Sequence, residues 1–313
     1  MNSRTVVGLA AALAASVSLT APSASADVPP PAPPLRVLTH NVMMLPSIVG
    51  GNYANETRAA MIASSDYVKG YDVAIFEEAF DNGPSETLKT GLSRQYPYQT
   101  PVLGRSKSGW DQTLGAYSAL TPEDGGVTVV SKWPITRKVQ YVYKQGCGAD
   151  WFSNKGFVYV ELKVNGRKVH VVGSHAQADD SLCSDAPSVR RSQFAELDAF
   201  LDGLHIPASE SVVMAGDLNV VKASAEYPSM LQALDATAPA AYKGHPYSWD
   251  PKSNSLNANR YPDDAPQYLD YVLFRRGHAS STTWSNTVLT PTSPPWSSGG
   301  TTYTDHYPVA AHG

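Results

Sequence analysis

Asp217 and Asn219 follow the apolar run Val212-Val213-Met214-Ala215-Gly216. A carboxylate beside a carboxamide can hold a hard divalent cation, or orient a water and a phosphate oxygen, because the pair supplies both acceptors and donors. The period of a strand would point both side chains to one side. Asp and Asn are also ordinary turn residues after a strand, so the tetrapeptide Gly216-Asp217-Leu218-Asn219 acquires meaning only from its company. That company consists of further polar groups at the ends of apolar runs: His40-Asn41, Glu77-Glu78, His175, Asp270 within Leu269-Asp270-Tyr271, and Asp305-His306.

The elements that must carry these groups follow from periodicity. Residues 35–42 and 72–76 read as core strands separated by a helix over 55–69 with Gly70 as its stop. A second helix is expected at 85–94, an extended piece at 98–103, a loop over most of 104–126 and a strand at 126–131. Asn165-Gly166, between the β-branched runs 157–164 and 167–174, signals a type I′ hairpin that leaves His175 just past a strand end. Ser184 or Asp185 can cap a helix whose apolar face runs through Val189, Phe194, Leu197, Phe200, Leu201 and Leu204. Helix 225–234, strand 268–274 and a short last strand near Val309 complete the pattern. Strands alternating with helices predict an α/β sandwich of two sheets with helices outside, gathering polar groups along one rim.

The amino terminus has the order of a secretory signal peptide: Arg4, an apolar run over 6–19, then Ala24-Ser25-Ala26, with cleavage expected after Ala26. A proline-rich leader, 27–34, precedes a single domain over 35–313, since no repeat or linker-like shift divides it. Export makes one disulfide the simplest use of Cys147 and Cys183; neither sits in a metal-binding C-x-x-C pattern. Losing Arg4 takes the 24 basic residues to 23 against 28 acidic ones, a net charge of −5. With no Lys/Arg cluster, this disfavours nucleic acid as a partner.

The ordered series of polar strand ends resembles the endonuclease/exonuclease/phosphatase superfamily, the DNase I-like fold, across essentially the whole chain after its leader. Three stretches are similar, more narrowly, to the bacterial neutral sphingomyelinases, the sphingomyelinase C family: Glu78-Ala79-Phe80-Asp81; Cys147-Gly148-Ala149-Asp150 with Ser153-Asn154-Lys155-Gly156-Phe157-Val158-Tyr159; and Ser174-His175-Ala176-Gln177-Ala178-Asp179-Asp180. The resemblance implies a four-layer α/β sandwich of two packed mixed sheets flanked by helices. It implies a secreted, monomeric enzyme that hydrolyses sphingomyelin in bilayers to ceramide and phosphocholine with Mg²⁺, or with Mn²⁺ or Co²⁺ in its place. It also implies the Cys147–Cys183 disulfide.

Carried over residue by residue, the resemblance makes Glu78 the principal metal ligand, with Asn41 and Asp305 beside it and Glu77 behind. His306 matches the general base that deprotonates water, a task suited to an imidazole titrating near neutrality. Asp270 would fix its tautomer, and Asp217 and Asn219 would orient water and phosphate. His175 would donate to a phosphoryl or leaving oxygen, Asp150 occupies an acidic position near the site, and Asn154 would reach the phosphate. Trp296, with Pro295, falls where the family carries an exposed aromatic hairpin that touches lipid. Trp110, Tyr117, Trp151 and Phe152 are candidates for further membrane contacts or for a cation–π surface facing choline. Rival readings are another phosphodiesterase of the same fold, a nuclease, or a membrane-binding lytic factor without catalysis.

Overall fold

Valine, isoleucine and phenylalanine crowd the runs that become the central strands, and those strands are apolar on both faces because both faces are covered. The computed structural model describes residues 34–46, 53–296 and 300–312, together with Met1; the expected signal peptide and nearly all of the proline-rich leader lie outside the described residues. Within them, two seven-stranded mixed sheets form. The first has the order β11 (Ala241–Gly244), β13 (Ser285–Val288), β14 (Val309–His312), β1 (Val37–Asn41), β2 (Val73–Glu77), β5 (Thr128–Ser131), β3 (Tyr98–Gln99). The second runs β10 (Ala236–Thr237), β12 (Asp270–Arg275), β9 (Ser211–Asp217), β8 (Arg167–His175), β7 (Gly156–Val164), β6 (Ile135–Val142), β4 (Gln112–Gly115).

The sheets face each other through Val37, Val73, Ile75 and Val129 on one side and Val158, Val171, Val213 and Val272 on the other, all buried in one cluster. Helices Asn55–Ser64 and Asn82–Leu92 cover the outer face of the first sheet, where Ile62 and Leu88 pack with Leu38 and Phe76. Helix Ala186–Gly203 covers the second through Phe194, Leu197 and Leu201. Helix, sheet, sheet and helix give the four layers expected of a DNase I-like sandwich.

Local chemistry explains both the agreements and the departures. Val164 pairs with Arg167 across Asn165 and Gly166, both at positive φ (49° and 82°), as a type I′ turn requires. Asp185 caps its helix by accepting from the Ser188 N–H at 3.1 Å. The helix expected over 55–69 ends at Ser64, because Ser65 turns extended and its hydroxyl caps the Ile62 carbonyl at 2.7 Å. The expected loop at 104–126 contains β4, a polar edge strand too short to show a periodic signal.

Cys147 and Cys183 are bonded, with a Cα separation of 5.3 Å, and close a loop of sequence separation 36. The chain-entropy model assigns such a crosslink about 3–4 kcal/mol. Replacing both cysteines by serine is expected to lower the unfolding free energy by about that amount, read from urea melts; an unshifted midpoint would show that the staple contributes nothing.

Candidate active site

Each central strand sends alternate residues into the space between the sheets, and at one rim those inward positions change from apolar to polar. On β1 the inward series is Val37, Thr39, Asn41; on β2 it is Val73, Ile75, Glu77; on β8, Val171, Gly173, His175; on β9, Val213, Ala215, Asp217; on β12, Phe274, Val272, Asp270. Register completes the gathering. Asn41 is level with Glu77, and Asp217 is level with His175 on one side and Asp270 on the other. Gly216 permits the alignment of Asp217 with His175: at φ 145° a Cβ there would lie 1.8 Å from the Ser174 carbonyl oxygen.

Two residues just past strand ends turn into the cleft through left-handed backbone, Glu78 at φ 55° and Asn219 at φ 53°. Such conformations cost a non-glycine residue roughly 1 kcal/mol or more and recur at functional sites. The strand ends at Asp217, so Asn219 shares its side of the chain through a turn and not through strand alternation; its N–H donates to Asp217 Oδ1 at 3.0 Å. Its amide donates to the Ala176 carbonyl at 3.0 Å. The cleft that results, about 260 Å³, is lined by Glu78, His175, Asp217, Asn219, Asp305 and His306, with Trp249 and Tyr261 among its other walls.

Asn41 Nδ2 donates to Glu78 Oε1 at 2.9 Å and to Asp217 Oδ2 at 3.1 Å, joining one sheet to the other. Its Oδ1 accepts from the Met43 N–H, so the amide as it stands organises the carboxylates and does not present its oxygen as a ligand. His306 Nδ1 lies 2.9 Å from Asp270 Oδ2, and its Nε2 lies 3.7 Å from Asp217 Oδ2. The neighbouring motif residue His40 does not reach the cleft: it is buried, bonds Tyr67 and the His306 carbonyl, and is held neutral, its pKa pushed down to about 3 chiefly by burial.

Lys155, given no role by the sequence, lies directly behind the cleft residue His175. Its buried ammonium contacts Asp150 Oδ2 at 2.7 Å, His175 Nε2 at 3.1 Å and the Ala176 carbonyl at 3.2 Å. Asp150 therefore acts on the site through Lys155, and it also accepts from the Ala178 N–H. Burial, then the charges of Lys155 and His306, drive His175 well below the ordinary imidazole range. A neutral His175 accepts from Lys155 at Nε2, which makes the ammonium the stronger donor in that corner.

One expectation is corrected. Asn154 does not reach the cleft: its amide donates to the Gly104 and Ser118 carbonyls and its oxygen accepts from the Ser118 N–H, so all its polar atoms hold loops together. Trp296 is half-buried, its indole donating to the Thr302 carbonyl at 2.7 Å and its ring 5.7 Å from the Arg58 guanidinium, while Pro295 is exposed. Trp110, Tyr117, Trp151 and Phe152 do not line the cleft; Trp249 and Tyr261 do, with ring centroids 5.4 Å apart.

The donor set fits a divalent cation. Glu78 is raised by burial and then by the charge of Asp305, and Asp305 Oδ1 is buried with no hydrogen-bond partner. Asp217 is pushed up to about 7 by burial and by Asp270. Burial alone would lower His306, but the charges of Asp270 and Asp217 and the Asp270 hydrogen bond hold it well above its ordinary range. Asp217, Asp270 and His306 bring ligand-type atoms within 4.8 Å of one another. Arg260, 3.6 Å from Asp305 Oδ2, and Lys155 offset only part of this negative charge.

Comparison with known proteins agrees with this geometry. The profile of the Endonuclease/Exonuclease/phosphatase family matches residues 38–306. A sphingomyelinase C from Bacillus cereus is 46% identical over 293 residues, covering 88% of each chain. The crystal structure of sphingomyelinase C from Streptomyces griseocarneus superposes with a TM-score of 0.87 at 52% identity, covering 90% of this chain and 99% of that one. A beta toxin variant from Staphylococcus aureus with bound magnesium ions also gives 0.87, at 43% identity and the same coverage.

Glu77 faces the core behind the site, where burial and then the charges of Asp270 and Asp217 raise it well above the carboxylate range, against the Thr39 hydroxyl at 2.6 Å and the charge of His306, which favour its charged form. A carboxyl raised on folding stabilises fully below its unfolded pKa, and that stabilisation is lost as pH rises towards the folded value. Glu77→Gln should therefore be at least as stable as the parent at pH 7, with the difference closing near pH 4. Urea melts across this range check it, and a variant clearly less stable at pH 7 contradicts a neutral Glu77.

Proposed function

The chain belongs to the endonuclease/exonuclease/phosphatase family and, within it, to the bacterial sphingomyelinase C group, and from that premise we propose that it hydrolyses sphingomyelin to ceramide and phosphocholine at a membrane surface. The observation that carries the reading is the convergence, in one cleft, of an Asp270-held His306 with Asp217, Glu78 and Asp305. The cysteine pair and the amino-terminal pattern support export, since disulfides persist in oxidising compartments.

Glu78 and Asp305, with Asp217 facing them, would hold a divalent cation, Mg²⁺ being the first choice because oxygen donors suit it. When bound, the ion neutralises charge building on the phosphoryl and leaving oxygens. In its neutral form His306 takes the proton of the attacking water at Nε2; a cation offsetting the charges of Asp217 and Asp305, which favour the imidazolium, would favour that form. Asp270, accepting from Nδ1–H, fixes that tautomer and steadies the imidazolium that forms. Asp217 and the left-handed Asn219 orient the water and the phosphate. Lys155, itself fixed by Asp150, supplies positive charge to a phosphoryl or leaving oxygen in partnership with His175. Trp249 and Tyr261 offer ring faces to the choline cation.

A nuclease of the same fold is the second reading. The net charge of −4 and the lack of a basic track favour the zwitterionic lipid.

A headgroup-release assay on sphingomyelin, phosphatidylcholine and DNA, with Mg²⁺ and with EDTA, tests the proposal: release from sphingomyelin is expected to be abolished by EDTA. Release that persists in EDTA removes the metal, and preference for DNA removes the lipid. His306→Ala should lower turnover about 10²–10⁴-fold with the fold intact by circular dichroism; near-parental turnover excludes it as base. Lys155→Met should reduce kcat about 10²–10³-fold, whereas a change in KM alone would leave Lys155 a binding role only.

A further inference from the structure

Among the described residues, large apolar side chains are not exposed at random. Apart from the first residue, the four most exposed are Leu120 at 94%, Leu182 at 80%, Trp151 at 67% and Phe152 at 58%. All four lie on three loops that are tied to one another. The disulfide joins the loop of Trp151 and Phe152 to that of Leu182, and Asp180 accepts from the Ala149 and Leu182 N–H groups. The loop of Leu120 is joined to the same unit where the Glu123 N–H donates to the Phe152 carbonyl at 3.1 Å and Asn154 holds Ser118.

This unit borders the cleft directly. Asp150, next to Trp151, bonds Lys155 and the Ala178 N–H, and Ala178 and Asp179 line the cleft wall. We propose that the disulfide-stapled loops carrying Leu120, Trp151, Phe152 and Leu182 are the principal surface by which the protein docks on a zwitterionic lipid bilayer, with Trp296 in a subordinate place. The inference rests on the lipid-substrate reading above.

Four arguments converge. Clustered exposed apolar side chains beside a cleft mark an interaction surface, and tryptophan, phenylalanine and leucine are the types that partition into the membrane interface. A lipid whose phosphodiester is cut while its tails stay in the bilayer requires the cleft rim itself to meet the headgroup plane. Covalent and hydrogen-bonded ties hold the loops ready, so little ordering cost attends docking. A net charge of −4 opposes binding to an anionic surface and leaves apolar insertion as the attraction. Trp296, by contrast, is engaged with Thr302 and Arg58.

The test uses the full disulfide-bonded protein and vesicles of brominated phosphatidylcholine without sphingomyelin, so that docking is read apart from hydrolysis. Tryptophan fluorescence should be quenched by the brominated lipid in the parent and in Trp296→Phe, and the quenching should be largely lost in Trp151→Phe. The double variant Leu120→Ser/Leu182→Ser should partition onto the vesicles at least tenfold more weakly, with an unchanged melting temperature. Quenching that survives in Trp151→Phe, partition within twofold of the parent, or no binding by the parent overturns the proposal. So does a parent that sediments as a dimer and a double variant that sediments as a monomer, because the patch would then belong to a second copy of this chain. Phosphocholine release by the parent from detergent-dispersed sphingomyelin is scored separately; its absence, with docking retained, counts against the substrate and not against the surface.

Discussion

The amide nitrogen of Asn41 reaches from one sheet to the other, touching Glu78 on its own side and Asp217 across the gap. Everything at the site depends on the condition this bridge expresses: two independently hydrogen-bonded sheets must be held in one relative position to within a fraction of an ångström. The interior between them meets that condition with small and branched side chains that interdigitate at close-packed density. At Gly173 the approach is close enough that a Cβ would meet Ile75 at 2.7 Å. The catalytic rim is thus the polar edge of a packed core, and its geometry inherits the rigidity of that core.

The same location sets the electrostatics. Glu77, Asp217 and Asp270 continue apolar stripes, so water that would screen them is excluded; the charges of Asp270 and Asp217 raise Glu77, and that of Asp270 raises Asp217. Lys155 and Arg260 enter from outside the stripes, on a strand's leading edge and on the helix Ser255–Arg260. A site with more buried carboxylates than cations is unfavourable as a resting arrangement and well matched to an added positive ion. The strained backbone at Glu78 and Asn219 belongs to the same trade: both carboxylate and amide are turned into the cleft against their local preference.

Much of this was legible in the sequence because apolar runs that stop at polar residues are legible. Runs that close on Asn41, Glu77-Glu78, His175 and Asp217 announce both a buried strand and the end at which it turns polar. The Asn165-Gly166 hairpin and the Asp185 cap are equally local and were read from a few residues. What escaped has no such period. Lys155 lies one position before a strand, and its partners Asp150 and His175 are separated from it by a loop and a hairpin. Asn154 beside it points instead to the loops at Gly104 and Ser118, a direction set by tertiary packing. Trp296 illustrates the converse. A tryptophan in a proline- and serine-rich segment suggests exposure, and the structure leaves it half-buried, its indole on a nearby carbonyl and its ring near a buried guanidinium, partners no local pattern announces.

The order of strands in the first sheet has a temporal meaning. The last strand, β14, is inserted between β13 and β1, pairing with β1 from Val37↔Ala311 to Thr39↔Val309, and His306 arrives only with it. Pairing of the first and last strands closes the longest loop the chain contains, which is a late event when loop closure limits the rate. A polypeptide still being synthesised therefore has Glu78 and Asp217 but lacks Asp305 and His306 together, so one end of the cleft is built only when the final strand closes the sheet.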